Sequence, residues 1–153
     1  MSSNNIHLRK GTPSDIPELL NLIKELAAYE REPNAVIVTE EILLEDGFGS
    51  NKIFDFLVAE KDGKVAGIAL YYTKYSTWKG RCLYLEDIIV KESERMQGIG
   101  SLLLKELISI SEKAGVKRLE WQVLNWNEPA INFYKKHKTL IDDEWLNCKI
   151  EFK

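Results

Sequence analysis

Seven consecutive residues, Arg95-Met96-Gln97-Gly98-Ile99-Gly100-Ser101, have the types and spacing of an anion grip. They lie between a strand-like run, Leu83–Val90, and a helix-like run, Ser101–Lys113. A glycine-containing turn that feeds a helix start aims several backbone N–H groups at one spot, and the helix gives them no internal partner. The helix dipole adds about half a positive charge there, which suits a phosphate or diphosphate. A Rossmann dinucleotide site would need a third glycine where Leu103 stands, and a nucleotide P-loop would need a Gly-Lys-Ser/Thr ending; neither is present. The strand ahead of the turn, Tyr84-Leu85-Glu86-Asp87-Ile88-Ile89-Val90, holds two acids in an otherwise apolar run. On a regular pleat Glu86, Ile88 and Val90 share one face and Asp87 points the other way. Such a strand can also offer its backbone edge to an extended ligand. Coenzyme A, a diphosphate followed by a long amide-bearing arm, has the matching shape.

The elements that must position these residues follow from hydrophobic period and turn chemistry. Ile6–Arg9 alternates and predicts a first strand. Thr12 or Ser14, with Pro13 and Pro17 close by, opens a helix whose apolar residues Ile16, Leu19, Leu20, Ile23, Leu26 and Ala27 recur at helical spacing to about Glu30. Thr39-Glu40-Glu41-Ile42 is a capping-type start for a second helix ending near Gly47 or Gly49. Phe54–Glu60 and Val65–Thr73 read as strands joined by an Asp62-Gly63 hairpin turn. Leu83–Val90 follows. Past the glycine turn comes an amphipathic helix that stops around Ala114-Gly115. Then come a strand at Leu119–Leu124, a helix at Glu128–Lys136 with Asn127 as cap and Pro129 in its first turn, a short strand near Thr139–Ile141, and a closing strand at Trp145–Phe152. The order predicts a mixed α/β layer fold, a partly antiparallel sheet flanked by helices, in a single domain over residues 1–153.

The bulk numbers narrow the function classes. A chain of 153 residues suits one core. The net charge of -3 gives no electrostatic case for nucleic acid as the main partner. No apolar run is long enough to span a bilayer, so no membrane partner is expected. The polar start Met1–Asn5 lacks the apolar core of a signal peptide, which makes a cytoplasmic location the expectation. Cys82 and Cys148 have no metal or redox spacing and read as two buried thiols, and His7 and His137 are too isolated to pair; no metal site is expected.

The turn Arg95–Gly100 resembles the Arg/Gln-x-x-Gly-x-Gly/Ala acetyl-CoA motif of the GCN5-related N-acetyltransferases (the GNAT family). Further pieces resemble its spermidine/spermine and thialysine acetyltransferase branch. They are Ile23-Lys24-Glu25-Leu26-Ala27 with Tyr29-Glu30, Leu43-Leu44-Glu45-Asp46-Gly47-Phe48-Gly49, and Trp126-Asn127-Glu128-Pro129-Ala130-Ile131-Asn132-Phe133-Tyr134. Together they run from about Ile6 to Trp145. Tyr75-Ser76-Thr77-Trp78-Lys79-Gly80-Arg81 is similar to the thialysine-type relatives, since the polyamine enzymes have an acid and a proline where Ser76 and Thr77 stand. Met96 occupies a place that is often glycine in the motif. An ordinary backbone conformation, with only its N–H in use, is expected there. Lys138 stands near a glycine of the polyamine enzymes.

The resemblance implies an acetyl-CoA-dependent N-acetyltransferase acting on a primary amine of a small molecule, either a thialysine-like amino acid or a diamine or polyamine. It implies acetyl-CoA as donor and a homodimer, to which apolar surface at Val36-Ile37-Val38 would contribute. Met96, Gln97, Gly98, Ile99, Gly100 and Ser101 would hold the diphosphate with added charge from Arg95. Ile88, Ile89 and Val90 would meet the arm, with Asn127, Glu128, Pro129 and Ala130 along it. Glu86 is the candidate to attract the ammonium and take its proton through water, because a carboxylate in an apolar strand tends to a raised pKa. Asp87 ranks below it. Tyr134 is the candidate acid for the thiolate and part of the cofactor site. By pattern alone it reads as a core aromatic, but in the family a tyrosine at this place sits beside the thioester sulfur. Tyr29, Glu30, Trp78, Glu86 and the run Glu120-Trp121-Gln122 are the candidates for binding the amine. Two other readings remain: a catalytically silent acetyl-CoA-binding sensor, and a protein-lysine acetyltransferase, the latter disfavoured by loops carrying Tyr29 and Trp78 that would wall the amine site.

Overall fold

The computed structural model describes residues 5–153, so most of the polar start, Met1–Asn4, lies outside the described residues. The chain divides into two compact units, Met1–Trp121 and Gln122–Lys153. The first holds a five-stranded sheet in the order β1 (Ile6–Lys10), β2 (Asp55–Lys61), β3 (Lys64–Ser76), β4 (Gly80–Val90), β5 (Leu119–Glu120). The first four strands pair antiparallel and β5 joins β4 in parallel, after the helix α3 (Ile99–Ala114). The helices α1 (Ile16–Tyr29) and α2 (Glu40–Phe48) fill the β1–β2 connection. The mixed, partly antiparallel sheet with flanking helices is the fold class expected from the sequence.

Local chemistry explains the boundaries. The Thr39 side chain accepts from the Ile42 N–H at 3.2 Å and starts α2, which Gly49 ends. Asp62 and Gly63 both have positive φ, as a tight hairpin turn requires. Asp15 sits before α1, where its carboxylate binds Arg9 at 2.7 Å and the Thr12 N–H at 2.8 Å. The hydrogen bonds from Arg9 outweigh burial and hold the Asp15 carboxyl below the usual range. Arg9 also pairs with Glu60, tying β1 to β2.

The sheet is packed on both faces. Ile68 and Leu70 of β3 and Ile89 of β4 join Ile16, Leu19 and Leu22 of α1 and Leu43 of α2 in one cluster. On the other face, Ile99, Leu103, Leu104 and Leu107 of α3 are almost wholly buried. Gly67 permits that approach, because a Cβ there would stand 3.3 Å from both Ile99 and Leu103 and 2.9 Å from the Ile89 carbonyl. Val36 and Val38 pack against the α1–α2 cluster and only Ile37 is exposed, so the expected three-residue apolar surface reduces to one side chain.

The second unit contains α4 (Glu128–Lys135). The Asn127 side chain caps it by accepting from the Ala130 N–H at 3.3 Å, and proline is in the first turn, as the sequence predicts. Lys138 has positive φ, the conformation that would suit the glycine of the polyamine enzymes. The predicted strands at Thr139–Ile141 and Trp145–Phe152 are not formed. The second keeps its two-residue alternation, but a strand exists only where a partner takes its backbone bonds, and among the described residues none does. Leu146, Ile150 and Phe152 are exposed there, as is Cys148, so only Cys82 is the buried thiol expected.

The glycine turn also corrects an expectation. Met96 has φ 67°, and Gly98, the residue that caps α3, has φ 79°. The turn therefore uses two left-handed residues around Gln97. The Met96 side chain is fully in solvent, so only its own backbone opposes this conformation. A branched Cβ is far less compatible with that conformation. In urea unfolding, Met96→Val is expected to be less stable than Met96→Gly by about 1–2 kcal/mol; equal stabilities would show that the turn carries no backbone strain.

Candidate active site

Two features of β4 build the site. The first is its short partnership with β5: only Leu83 and Tyr84 pair, with Leu119 and Glu120. Beyond Tyr84 the outer edge of β4 runs free of the ladder to Val90. Unpaired backbone donors and acceptors there are fit for an amide-bearing ligand. The free edge leads into the turn at the start of α3, which Gly98 caps without a side-chain bond to the first-turn N–H groups. Turn and edge thus lie in sequence along one path, as a diphosphate followed by an amide arm would need. The turn is fixed from below by Lys61, whose ammonium binds Glu94 at 3.0 Å and Gln97 at 2.6 Å. Arg95 donates to the Val90 carbonyl at 3.2 Å, faces Glu25 at 3.7 Å and lies over the Tyr29 ring at 5.6 Å. Its charge is thus shared with α1 rather than aimed solely at the turn.

The second feature is a β-bulge. Tyr71 pairs with Leu85 and Leu70 with Asp87, which leaves Glu86 as an extra residue in β4. The regular alternation expected from the sequence is therefore broken. Asp87 and Ile89 share the face of Leu70 and Ile68, the side covered by α1 and α2, whereas Ile88 and Val90 oppose Ala69 and Gly67 on the α3 side. Glu86 does not share a face with Ile88 and Val90. Its carboxylate accepts from the Tyr72 hydroxyl at 3.0 Å, and Tyr72 pairs with Tyr84 with rings 5.4 Å apart. The bulge thus brings Glu86 and Asp87 to one side of the sheet with two phenols.

Electrostatics sorts the acids. Asp87, ranked below Glu86 on the regular pleat, is the carboxyl that burial acts on. Burial first, and then the charges of Glu86 and Glu30, push it up to about 7. Burial also raises Glu30 at the end of α1. Burial, followed by the bond to Glu86, pushes the Tyr72 phenol well above its usual range. Glu120 behaves in the opposite way. Burial opposes its charge, but Lys74 at 3.0 Å and Arg118 at 2.8 Å outweigh it and hold the carboxyl below the usual range. Its charge is already matched. Among the described residues Glu86 and Asp87 form no ion pair.

The structure brings Glu30, Glu86 and Asp87 within electrostatic reach of one another. Tyr29 stands beside Arg95 at the end of the same helix. Trp78 lies in the turn between β3 and β4, 84% exposed, and β4 runs four residues from that turn's end at Gly80 to Tyr84, roughly 13 Å at strand rise. Trp121 closes the first unit. Gln122 belongs to the second, where it binds Asn147 at 2.6 Å. Tyr134 is buried in the second unit; its ring meets Phe133 at 5.3 Å and its carbonyl accepts from the Thr139 hydroxyl at 2.8 Å.

Asp87 makes stability depend on pH. Its folded carboxyl holds a proton up to about pH 7, whereas an unfolded one releases it near 4. The folded state therefore binds more protons in that window, and the stability that Asp87 contributes at low pH is lost as pH rises through 7. Asp87→Asn, which cannot ionise, is expected to gain stability relative to the parent between pH 5 and pH 8 in thermal melts. A difference constant across that range would mean Asp87 titrates normally.

The likeness to known proteins agrees with this geometry. The model of the Acetyltransferase (GNAT) family matches residues 17–138. The thialysine N-epsilon-acetyltransferase of Bos taurus is 41% identical over 138 residues, 85% of this chain and 81% of that one. The protein of the same name in Mus musculus is 38% identical over 155 aligned positions, covering 94% and 91%. Among solved structures, an aminoglycoside acetyltransferase, meta-AAC0020 from an uncultured soil metagenomic sample, in complex with sisomicin, superposes with a TM-score of 0.81 over 100% of both chains. At 19% identity it speaks for the fold alone. No helix among the described residues is long and apolar enough to cross a membrane. An open-edged strand running into a left-handed turn and a helix start, carried on this sheet and matched over most of its length, places the chain in the GNAT acetyltransferase family as an N-acetyltransferase.

Proposed function

We propose that this protein transfers the acetyl group of acetyl-CoA to a primary amine of a small molecule, a thialysine-like amino acid or a short diamine. The family gives the acyl-CoA donor. The choice of acceptor is supported by the names of the relatives and by the Ser76-Thr77 stretch of the β3–β4 turn, which lacks the acid of the polyamine enzymes. One observation carries the reading: two carboxyls that form no ion pair among the described residues, Glu86 and Asp87, lie on the strand whose free edge leads to the anion-binding turn.

In this reading Met96 to Ser101 hold the diphosphate with backbone N–H groups. Ile88, Ile89 and Val90 offer backbone partners to the arm, and Asn127 to Ala130 flank it. Gly98 leaves room for the ligand, with nothing within 4 Å of the space a Cβ would take. The thioester oxygen gains charge as the amine attacks and is met by backbone donors. Glu86, the exposed carboxylate held by Tyr72, draws the ammonium. An alkyl ammonium must lose a proton before it can attack, at a cost of about 4–5 kcal/mol at pH 7. Carboxyls beside the acetyl carbon lower the barrier by accepting that proton in place. Tyr134 donates to the departing thiolate. Tyr29, Glu30, Trp78 and the run Glu120–Gln122 complete the acceptor set proposed from the resemblance. Glu120 acts there through its ion pairs rather than as a free charge. The two units are proposed to form one N-acetyltransferase domain, since the family match runs across Trp121 and Gln122. The homodimer is proposed on the family likeness.

Incubation with acetyl-CoA and a panel of amines, following free thiol, is expected to show release with thioether or short diamine substrates. Tight binding of coenzyme A with no thiol release from any amine would favour a sensor instead. Tyr134→Phe, folded as judged by its melt, is expected to lower kcat by about 10²–10⁴-fold; near-parent turnover would remove Tyr134 from the acid role.

A further inference from the structure

The bulge at Glu86 divides two tasks between adjacent carboxyls. Glu86 is exposed and tethered by the Tyr72 hydroxyl, so it is placed to meet a cation arriving from solvent. Asp87 lies deeper on the same side, under α1, with no hydrogen-bond partner of its own among the described residues. Two acids and two phenols interact with it electrostatically: Glu86 beside it on β4, Glu30 from the end of α1, Tyr72 on β3 and Tyr84 on β4. Lys74 is the cation at the rim, 5.2 Å from the Tyr84 ring centroid, and it is paired with Glu120.

We infer that Asp87, rather than Glu86, is the group that takes the proton from the substrate ammonium, while Glu86 holds the cation in place. This rests on the amine-acetylating reading above. A partly buried carboxyl without a cation is costly when charged. In the free protein Asp87 is therefore poised between its two forms at neutral pH, with a value of about 7. It takes a proton far more readily than an ordinary carboxylate, and each unit by which its proton affinity approaches that of the amine makes the transfer about tenfold less uphill.

The step balances. The ionised Asp87 carboxylate receives one proton from R–NH₃⁺, which leaves R–NH₂ with its lone pair. The nitrogen then bonds to the acetyl carbon while the carbon–sulfur bond breaks and its electron pair leaves on sulfur. The second proton lost from nitrogen balances the one taken up by the thiolate. Asp87 returns its proton to water before the next turnover.

The test is the pH dependence of kcat/KM for the best amine of the panel, measured on the parent, Asp87→Asn and Glu86→Gln. The parent is expected to show an acidic limb near pH 7. Asp87→Asn should lose that limb and fall by about 10²-fold in kcat. Glu86→Gln should keep the limb but move it to lower pH, because one of the charges that raises Asp87 is gone, and its KM should rise more than its kcat falls. An Asp87→Asn protein that retains the limb overturns the inference, as does a Glu86→Gln protein that loses it. If Asp87→Asn does not fold, the Glu86→Gln limb alone decides between the two carboxyls. A parent that acetylates no amine overturns the functional reading itself, a result distinct from either of these.

Discussion

A strand that loses its neighbour halfway along is the constraint on which the rest of this structure depends. β4 is paired along its whole length to β3, but to β5 only at Leu83 and Tyr84. Backbone donors and acceptors on its outer edge beyond that point must find other partners, because leaving them unmet in a partly buried place is costly. One carbonyl, that of Val90, takes the Arg95 guanidinium. An extended ligand with amide groups is the natural partner for the others. The chain then turns at Met96 and Gly98 into α3 and points the helix start at the end of the same path. Edge and turn together suit the proposed ligand, one with an extended polar arm and an anionic end.

The distribution of charge supports the same picture. Carboxylates that hold the frame are matched: Asp15 and Glu60 by Arg9, Glu18 by Lys91, Glu94 by Lys61, Glu120 by Lys74 and Arg118. Such pairs on a partly exposed surface contribute modestly to stability. Glu86 and Asp87 are the contrast. They sit together because of the bulge, and their mutual repulsion is part of what raises Asp87. In the proposed reaction a cationic substrate would relieve that repulsion, and charge would then select the group to be acetylated.

Much of the frame was legible in the sequence, because local rules and tertiary packing agreed there. Thr39 and Asn127 cap the helices they were expected to cap, Asp62-Gly63 turns the hairpin, and Gly115 ends α3 in the left-handed conformation. The departures share a cause: each depends on what a strand or turn meets elsewhere. Period two predicted opposite faces for Glu86 and Asp87, and an extra residue in one strand cancels that rule without changing composition. The pair of acids inside an apolar run was the available sign of it. The residue type of Met96 favours an ordinary conformation, yet the turn holds it left-handed with its side chain in solvent. Trp145–Phe152 alternates like a strand, yet alternation cannot supply a partner. Glu120 was a candidate for the amine through the resemblance, and the cations that pair with it come from β3 and from the residue two before it.

The central claim is that the free edge of β4 and the turn after it bind the donor as one continuous site. Titrating coenzyme A into ¹⁵N-labelled protein and following the backbone amide resonances tests it directly. Saturable shifts should cluster at Ile88 to Val90 and at Met96 to Ser101, with the Gly98 and Gly100 amides among the most displaced. Saturable binding that leaves those amides unmoved and shifts another region would contradict the account.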